Sequence, residues 1–262
     1  MKNIPGMEAI LNDPSGAVIG LDFDGTLAPI VPDPARAAIH PKAPEVLAEL
    51  ASHGLSIVIV TGRPPATVLE LGPGLAEVPR LVVLGHYGFE RWEDGRVTAP
   101  PPPPGMPHVK AELPPLIGSL RLDGVTVEDK GRSVAVHTRR AADPDGALAA
   151  LREPLTKLAG EHGLVIEPGR MVLELRAPGM DKGHALGLFL AERGARSVLF
   201  AGDDLGDLAA FEAVRGSGLP GVTVCSGSTE VVALAEQADI VVDGPDGVVA
   251  LLAELASVFS HP

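Results

Sequence analysis

The apolar stretch Ala17-Val18-Ile19-Gly20-Leu21 runs straight into Asp22-Phe23-Asp24-Gly25-Thr26-Leu27. An unbroken apolar run of this kind, with no polar alternation, suits a strand buried on both faces, as in a parallel sheet covered by helices. That feature points the chain to the α/β class. The strand ends in carboxylates two residues apart, at the edge where open parallel sheets hold their ligands. Gly25 permits a sharp turn, so both carboxylates can face one crevice. Like charges this close are costly unless a cation neutralises them or one keeps a proton. A hard divalent ion with oxygen ligands, Mg2+ foremost, meets that need. A partial calcium loop is the bland alternative, and it is weak because no further Asp or Asn follows at alternate positions.

The pattern recurs twice. Val46, Leu47 and Leu50 have helical spacing and Gly54 stops that helix. Leu55 to Val60 is then a second buried strand, ending in Thr61-Gly62-Arg63-Pro64. Strand, helix and strand make a right-handed crossover with polar residues at both carboxyl ends. Thr61 can donate to a phosphate oxygen, or serve only as a helix N-cap. Further on, Val198 to Ala201 leads into Gly202-Asp203-Asp204-Leu205-Gly206-Asp207. So many carboxylates after a buried strand favour a metal site over ordinary surface. Lys182, at the start of a helix running to Arg193, opposes the helix dipole unless an anion lies there. A surface lysine is the alternative.

Between these parts the texture changes. The run Pro100 to Pro104 reads as a stiff spacer, with a Pro-rich ligand for another domain as the alternative. Residues 105–177 then read as an inserted α+β domain, and 1–104 with 178–262 as the domain that accepts it. Leu122 to Arg139 and Leu164 to Arg176 alternate as antiparallel hairpins do. From Ala142 to Glu161 the leucines 148, 151, 155 and 158 form one helical stripe. Polar residues on such hairpins usually face solvent. Lys130, Arg139 and Arg170 nevertheless bring positive charge to an acidic chain, with Glu128 and Glu174 as hydroxyl acceptors, a set that suits a phosphosugar.

The formal net charge of −13 disfavours nucleic acid or an anionic membrane as the main partner. The single Cys225 excludes an internal disulfide, and its apolar setting reads as core. The first residues lack the apolar stretch of a signal peptide, and no apolar run is long enough to span a membrane. A cytoplasmic location is expected.

Taken together, Asp22 and Asp24, Thr61, Lys182, and Asp203, Asp204 and Asp207 resemble, in order, the four motifs of the haloacid dehalogenase superfamily. The finer pattern is similar to the trehalose-6-phosphate phosphatase family. It includes Thr61-Gly62-Arg63-Pro64, Gly88-x-Glu90, Glu128-Asp129-Lys130-Gly131 and Val172-Leu173-Glu174-Leu175-Arg176, with Asp181-Lys182-Gly183 and Gly202-Asp203-Asp204. Four positions depart from the family's usual residues, Gly206 and Leu208 in the last motif, Arg170 and Tyr87. The resemblance implies a Rossmann-like core with a parallel sheet and a C2-type cap. It implies Asp22 as nucleophile, Asp24 as acid and base, and Thr61 and Lys182 on the phosphate. Mg2+ would be held by Asp22, Asp24 through its carbonyl, and Asp203, with Asp204 or Asp207 ordering water. Arg63, Lys130, Arg139, Arg170, Glu128 and Glu174 would bind substrate. A trehalose-phosphate synthase is a candidate partner, and a monomer is expected. The alternatives are another sugar-phosphate phosphatase or phosphomutase of the superfamily, and a catalytically silent phosphosugar-binding regulator.

Overall fold

A computed structural model of the 262-residue chain describes residues 4–169, 171–227 and 232–260. Arg170 lies outside the described residues, as do Glu230 and its successor in the segment Glu230 to Glu236, whose sequence reads as a helix. The chain forms two compact units, Met1–Ala99 with Asp181–Pro262, and Pro100–Met180. The proline run therefore groups with the second unit.

In chain order the first unit contributes α1 (Pro5–Asn12), β1 (Ala17–Leu21), α2 (Ala43–Ser52), β2 (Ser56–Val60), α3 (Pro65–Leu71), β3 (Leu81–Gly85), β4 (Glu90–Glu93) and β5 (Arg96–Thr98). The second unit follows with α4 (Met106–Leu120), β6 (Thr126–Asp129), β7 (Val134–His137), α5 (Pro144–Glu161), β8 (Val165–Gly169) and β9 (Val172–Arg176). The first unit resumes with α6 (Lys182–Arg193), β10 (Ser197–Gly202), α7 (Leu208–Gly216), β11 (Gly221–Gly227), α8 (Val232–Ala235), β12 (Ile240–Asp243) and α9 (Gly244–Ser260).

The first unit is built on one eight-stranded sheet in the order β12-β11-β10-β1-β2-β3-β4-β5. From β12 to β3 the neighbours are parallel, and β4 and β5 extend the edge antiparallel. Every residue of β1 and β10 is buried, as their unbroken apolar sequence requires. Helix α2 turns Ala43, Val46, Leu47 and Leu50 inward, a stripe at helical spacing that joins the core with Ile19, Leu21 and Phe23. The strand order places β1 between β2 and β10, so the three polar strand ends found in the sequence become neighbours. This is the doubly wound arrangement, with strand order reversing at β1.

The second unit packs α4 and α5 on an antiparallel sheet of order β6-β7-β9-β8. Val134, Val136, Leu173 and Leu175 point to the helices, meeting Leu113, Leu151, Leu155 and Leu158. Ala135 and Glu174 are paired in register and, by alternation, belong to the opposite sheet face. Helix α4 continues through Pro114 and Pro115, both exposed, where water can serve the carbonyls whose donors are lost. Among the described residues, no helix is long and apolar enough to cross a membrane.

Candidate active site

The carboxyl ends of β1 and β10 meet in register, with Leu21 opposite Ala201, and the Asp22 N–H donates to the Ala201 carbonyl at 2.9 Å. Asp22 and Asp203 therefore leave the sheet side by side. Gly25 turns the chain with φ at 79°, a conformation that suits glycine. A Cβ there would lie 2.0 Å from Oδ2 of Asp203, so the glycine also makes room for that carboxylate. Ser226, at the end of β11, donates to the Gly25 carbonyl at 2.6 Å and fixes the turn from a third strand.

Lys182 enters this group from the first turn of α6. Asp181 caps that helix by accepting from the His184 N–H at 2.7 Å, which sets the direction in which Lys182 leaves. The ammonium lies 2.8 Å from Oδ1 of Asp22 and 2.7 Å from Oδ1 of Asp207. The other oxygen of Asp207 accepts from the N–H groups of Asp203 and Asp204 at 3.0 and 3.2 Å. Asp204 instead caps its own turn, accepting from the Gly206 N–H at 2.8 Å, and is exposed.

Oxygens of Asp22, Asp203 and Asp207 all lie within 4.8 Å of one another, and all three residues are buried. Burial pushes Asp22 well above the ordinary carboxylate range, with Lys182 opposing and the neighbouring aspartates adding to the rise. Asp203 is pushed up to about 8, by burial first and then by Asp204 and Asp207. Asp207 rises as well, again chiefly through burial. Burial also pulls on Lys182, but Asp207 and Asp22 outweigh it and hold the ammonium well above the usual lysine range. One buried ammonium thus faces more carboxylate charge than it can neutralise. A hard, oxygen-only, over-charged donor set of this kind fits a divalent cation.

The structure places Asp24 differently. Its carboxylate receives a two-pronged grip from Arg63, Nε to Oδ2 at 2.6 Å and Nη2 to Oδ1 at 2.7 Å. Thr61 follows β2, which neighbours β1, and its hydroxyl oxygen accepts from the Arg63 N–H at 3.1 Å. The N-cap-like contact and the phosphate-donor reading are compatible, because the same hydroxyl retains its proton as a donor. The segment after β3 also reaches this turn, with the N–H of Tyr87 donating to the Thr61 carbonyl at 2.9 Å. Gly62 allows the tyrosine so close that a Cβ would lie 2.8 Å from its hydroxyl oxygen.

In the second unit, Lys130 and Glu174 form a pair at 2.9 Å, and Glu128 meets His137 at 2.9 Å. Arg176 pairs with Glu167, which stands opposite Glu174 in the sheet. Arg139 is exposed just beyond β7. Sequence reasoning had assigned no role to Glu167 or His137, and had quoted the buried Arg176 only as part of the family pattern. Strand alternation is the signal for Arg176, two residues from Glu174, whereas Glu167 is reached through its cross-strand register with Glu174.

The sequence profile of the family described as Trehalose-phosphatase matches residues 20–246. A Sinorhizobium fredii protein named "Probable trehalose-phosphate phosphatase" is 32% identical over 213 residues, covering 80% of this chain and 78% of that protein. Among solved structures, the trehalose-6-phosphate phosphatase C-terminal domain of C. albicans superposes with TM-score 0.75 at 22% identity, covering 96% of this chain and 97% of that one. A haloacid dehalogenase-like hydrolase from Bacteroides thetaiotaomicron gives TM-score 0.65 at 18% identity, over 91% of this chain and 99% of that one. The two structures share the fold with this chain, and the profile and the S. fredii relative go further. On that sequence evidence, this chain belongs to the trehalose-phosphatase family.

Proposed function

We propose that the chain is a Mg2+-dependent phosphatase that hydrolyses trehalose 6-phosphate to trehalose and phosphate. The observation that carries this reading is Asp22, a buried carboxylate against Lys182 at the carboxyl end of β1, with Asp203 and Asp207 beside it. Asp22 attacks phosphorus, the bond to the sugar oxygen breaks, and an aspartyl-phosphate forms. Asp24 gives its proton to the departing sugar oxygen and later takes one from the water that cleaves the intermediate. Lys182 and the Thr61 hydroxyl hold phosphate oxygens, so fixed charges and dipoles stabilise the transferring group. Mg2+, held by Asp22, Asp203, Asp207 and the Asp24 carbonyl, would neutralise the paired negative charges of nucleophile and phosphate. Glu128, Lys130, Arg139, Arg170 and Glu174 are assigned to the sugar on their chemistry, as hydroxyl acceptors and cations.

The test is phosphate release from a panel of sugar phosphates with Mg2+, using wild type and Asp22→Asn. Wild type should prefer trehalose 6-phosphate, and the variant should lose several orders of magnitude while keeping its fold. Comparable turnover by pure Asp22→Asn would remove the nucleophile assignment. Equal turnover of all sugar phosphates would remove the substrate.

A further inference from the structure

Arg63 was expected to touch substrate, and in the structure its guanidinium engages Asp24. Its backbone is fixed at both ends, the N–H on Thr61 Oγ1 at 3.1 Å and the carbonyl accepting from the His86 N–H at 3.1 Å. The His86–Tyr87 segment that supplies this support takes left-handed backbone angles, φ 49° and 58°, which non-glycine residues adopt at some cost. From that anchored backbone the guanidinium reaches across to both oxygens of Asp24, at 2.6 and 2.7 Å. Nη2 also donates to the Pro34 carbonyl at 3.0 Å, and the guanidinium carbon stands 5.9 Å from the centre of the Phe23 ring. Planar fork, ring and carbonyl leave the carboxylate of Asp24 one orientation.

We infer that Arg63 is a positioning residue, which aims Asp24 at the leaving oxygen. The inference rests on the phosphatase reading above. In the first half-reaction the phosphorus–sugar oxygen bond breaks, its electron pair stays on oxygen, and that oxygen takes the proton of Asp24. The carboxylate left behind is the form that both prongs of Arg63 can hold. In the second half the water oxygen bonds to phosphorus, its proton passes to the same carboxylate, and the bond to Asp22 breaks. A group orienting Asp24 matters most where the leaving oxygen needs a proton, as a sugar alkoxide does and 4-nitrophenolate does not.

The experiment compares wild type, Arg63→Lys and Arg63→Ala in pre-steady-state burst measurements, with trehalose 6-phosphate or 4-nitrophenyl phosphate in excess over enzyme and with Mg2+. Trehalose release should slow by about 10²-fold, the scale of a misplaced catalytic group. The loss in the nitrophenolate burst rate should be at least about tenfold smaller, since general-acid assistance is what separates the substrates. Burst amplitude counts folded sites, so unfolding cannot imitate the result. Lysine should not restore the rate, because it lacks the fork, whereas added guanidinium ion should partly rescue Arg63→Ala. Equal losses on both substrates, a loss confined to KM, or full recovery with lysine would each overturn the inference. Wild type that turns over 4-nitrophenyl phosphate but not trehalose 6-phosphate would instead overturn the substrate reading, and the same comparison with an alkyl phosphate would still decide on Arg63.

Discussion

Lys182→Met keeps the length of a buried side chain and deletes its charge. The ammonium bridges Asp22 and Asp207 at 2.8 and 2.7 Å, and all three side chains are at most 6% exposed. Removing one partner of a buried ion pair leaves the other uncompensated, at a cost of about 3–5 kcal/mol. With a urea slope near the upper end for small proteins, about 3 kcal/mol/M, the midpoint should fall by about 1–2 M in chelator. Trp92 is the single tryptophan and is buried in the core of the first unit, so its fluorescence follows the unit that carries the site. The deficit should be larger at pH 8 than at pH 5, because the exposed imbalance grows as the carboxylates lose their protons. Mg2+ should recover part of it by supplying positive charge to the same oxygens. A midpoint within about 0.3 M of wild type, which the same slope equates with about 1 kcal/mol, would refute the argument, as would a deficit indifferent to pH.

Gly25→Ala should cost about 1–2 kcal/mol for the left-handed backbone alone, and it should displace the Asp203 carboxylate, which would stand 2.0 Å from the new Cβ; weakened Mg2+ binding by calorimetry reads the second effect. Asp203, raised from 3.8 to about 8 mainly by burial, binds protons more tightly folded than unfolded. Its contribution is therefore fully present below about pH 3.8 and is lost as pH rises through 8. The chelated protein should melt at progressively lower temperature across that window, and Mg2+ should stabilise it more at pH 8 than at pH 5; the opposite trend would contradict the burial argument. Glu174→Ala removes a hydroxyl acceptor paired with Lys130. It should reduce kcat/KM for trehalose 6-phosphate by a hydrogen bond to a charged group, about 1–3 kcal/mol, and affect 4-nitrophenyl phosphate less. Equal loss on both would give Glu174 a structural role.

The strand ends were legible because burial and chemistry are both written locally. The run Ala17 to Leu21 reads as a strand covered on both faces, and the carboxylates that follow it, Asp22 and Asp24, stand where open parallel sheets hold their ligands. The helix read from Lys182 to Arg193 is α6 with those same bounds, and the Asp181 cap seen in the structure is the short-range signal behind its start. The antiparallel hairpins of the second unit were legible from their alternation.

Other facts required the fold itself. Asp204 and Asp207 are equivalent in composition, and the sequence left open which serves the site. The tight turn after β10 rotates Asp207 inward under Lys182 and leaves Asp204 outward as a cap, a difference of side-chain direction that no local pattern encodes. The Arg63–Asp24 pair joins residues 39 apart, and the arginine's reach depends on β1 and β2 becoming neighbours and on the His86–Tyr87 turn holding its backbone. Sequence thus determines which segments are buried and which chemistry their ends carry, because transfer from water and backbone geometry act residue by residue. Which carboxylate meets which cation is decided only in the tertiary structure, because charges interact through space and strand order sets the distances.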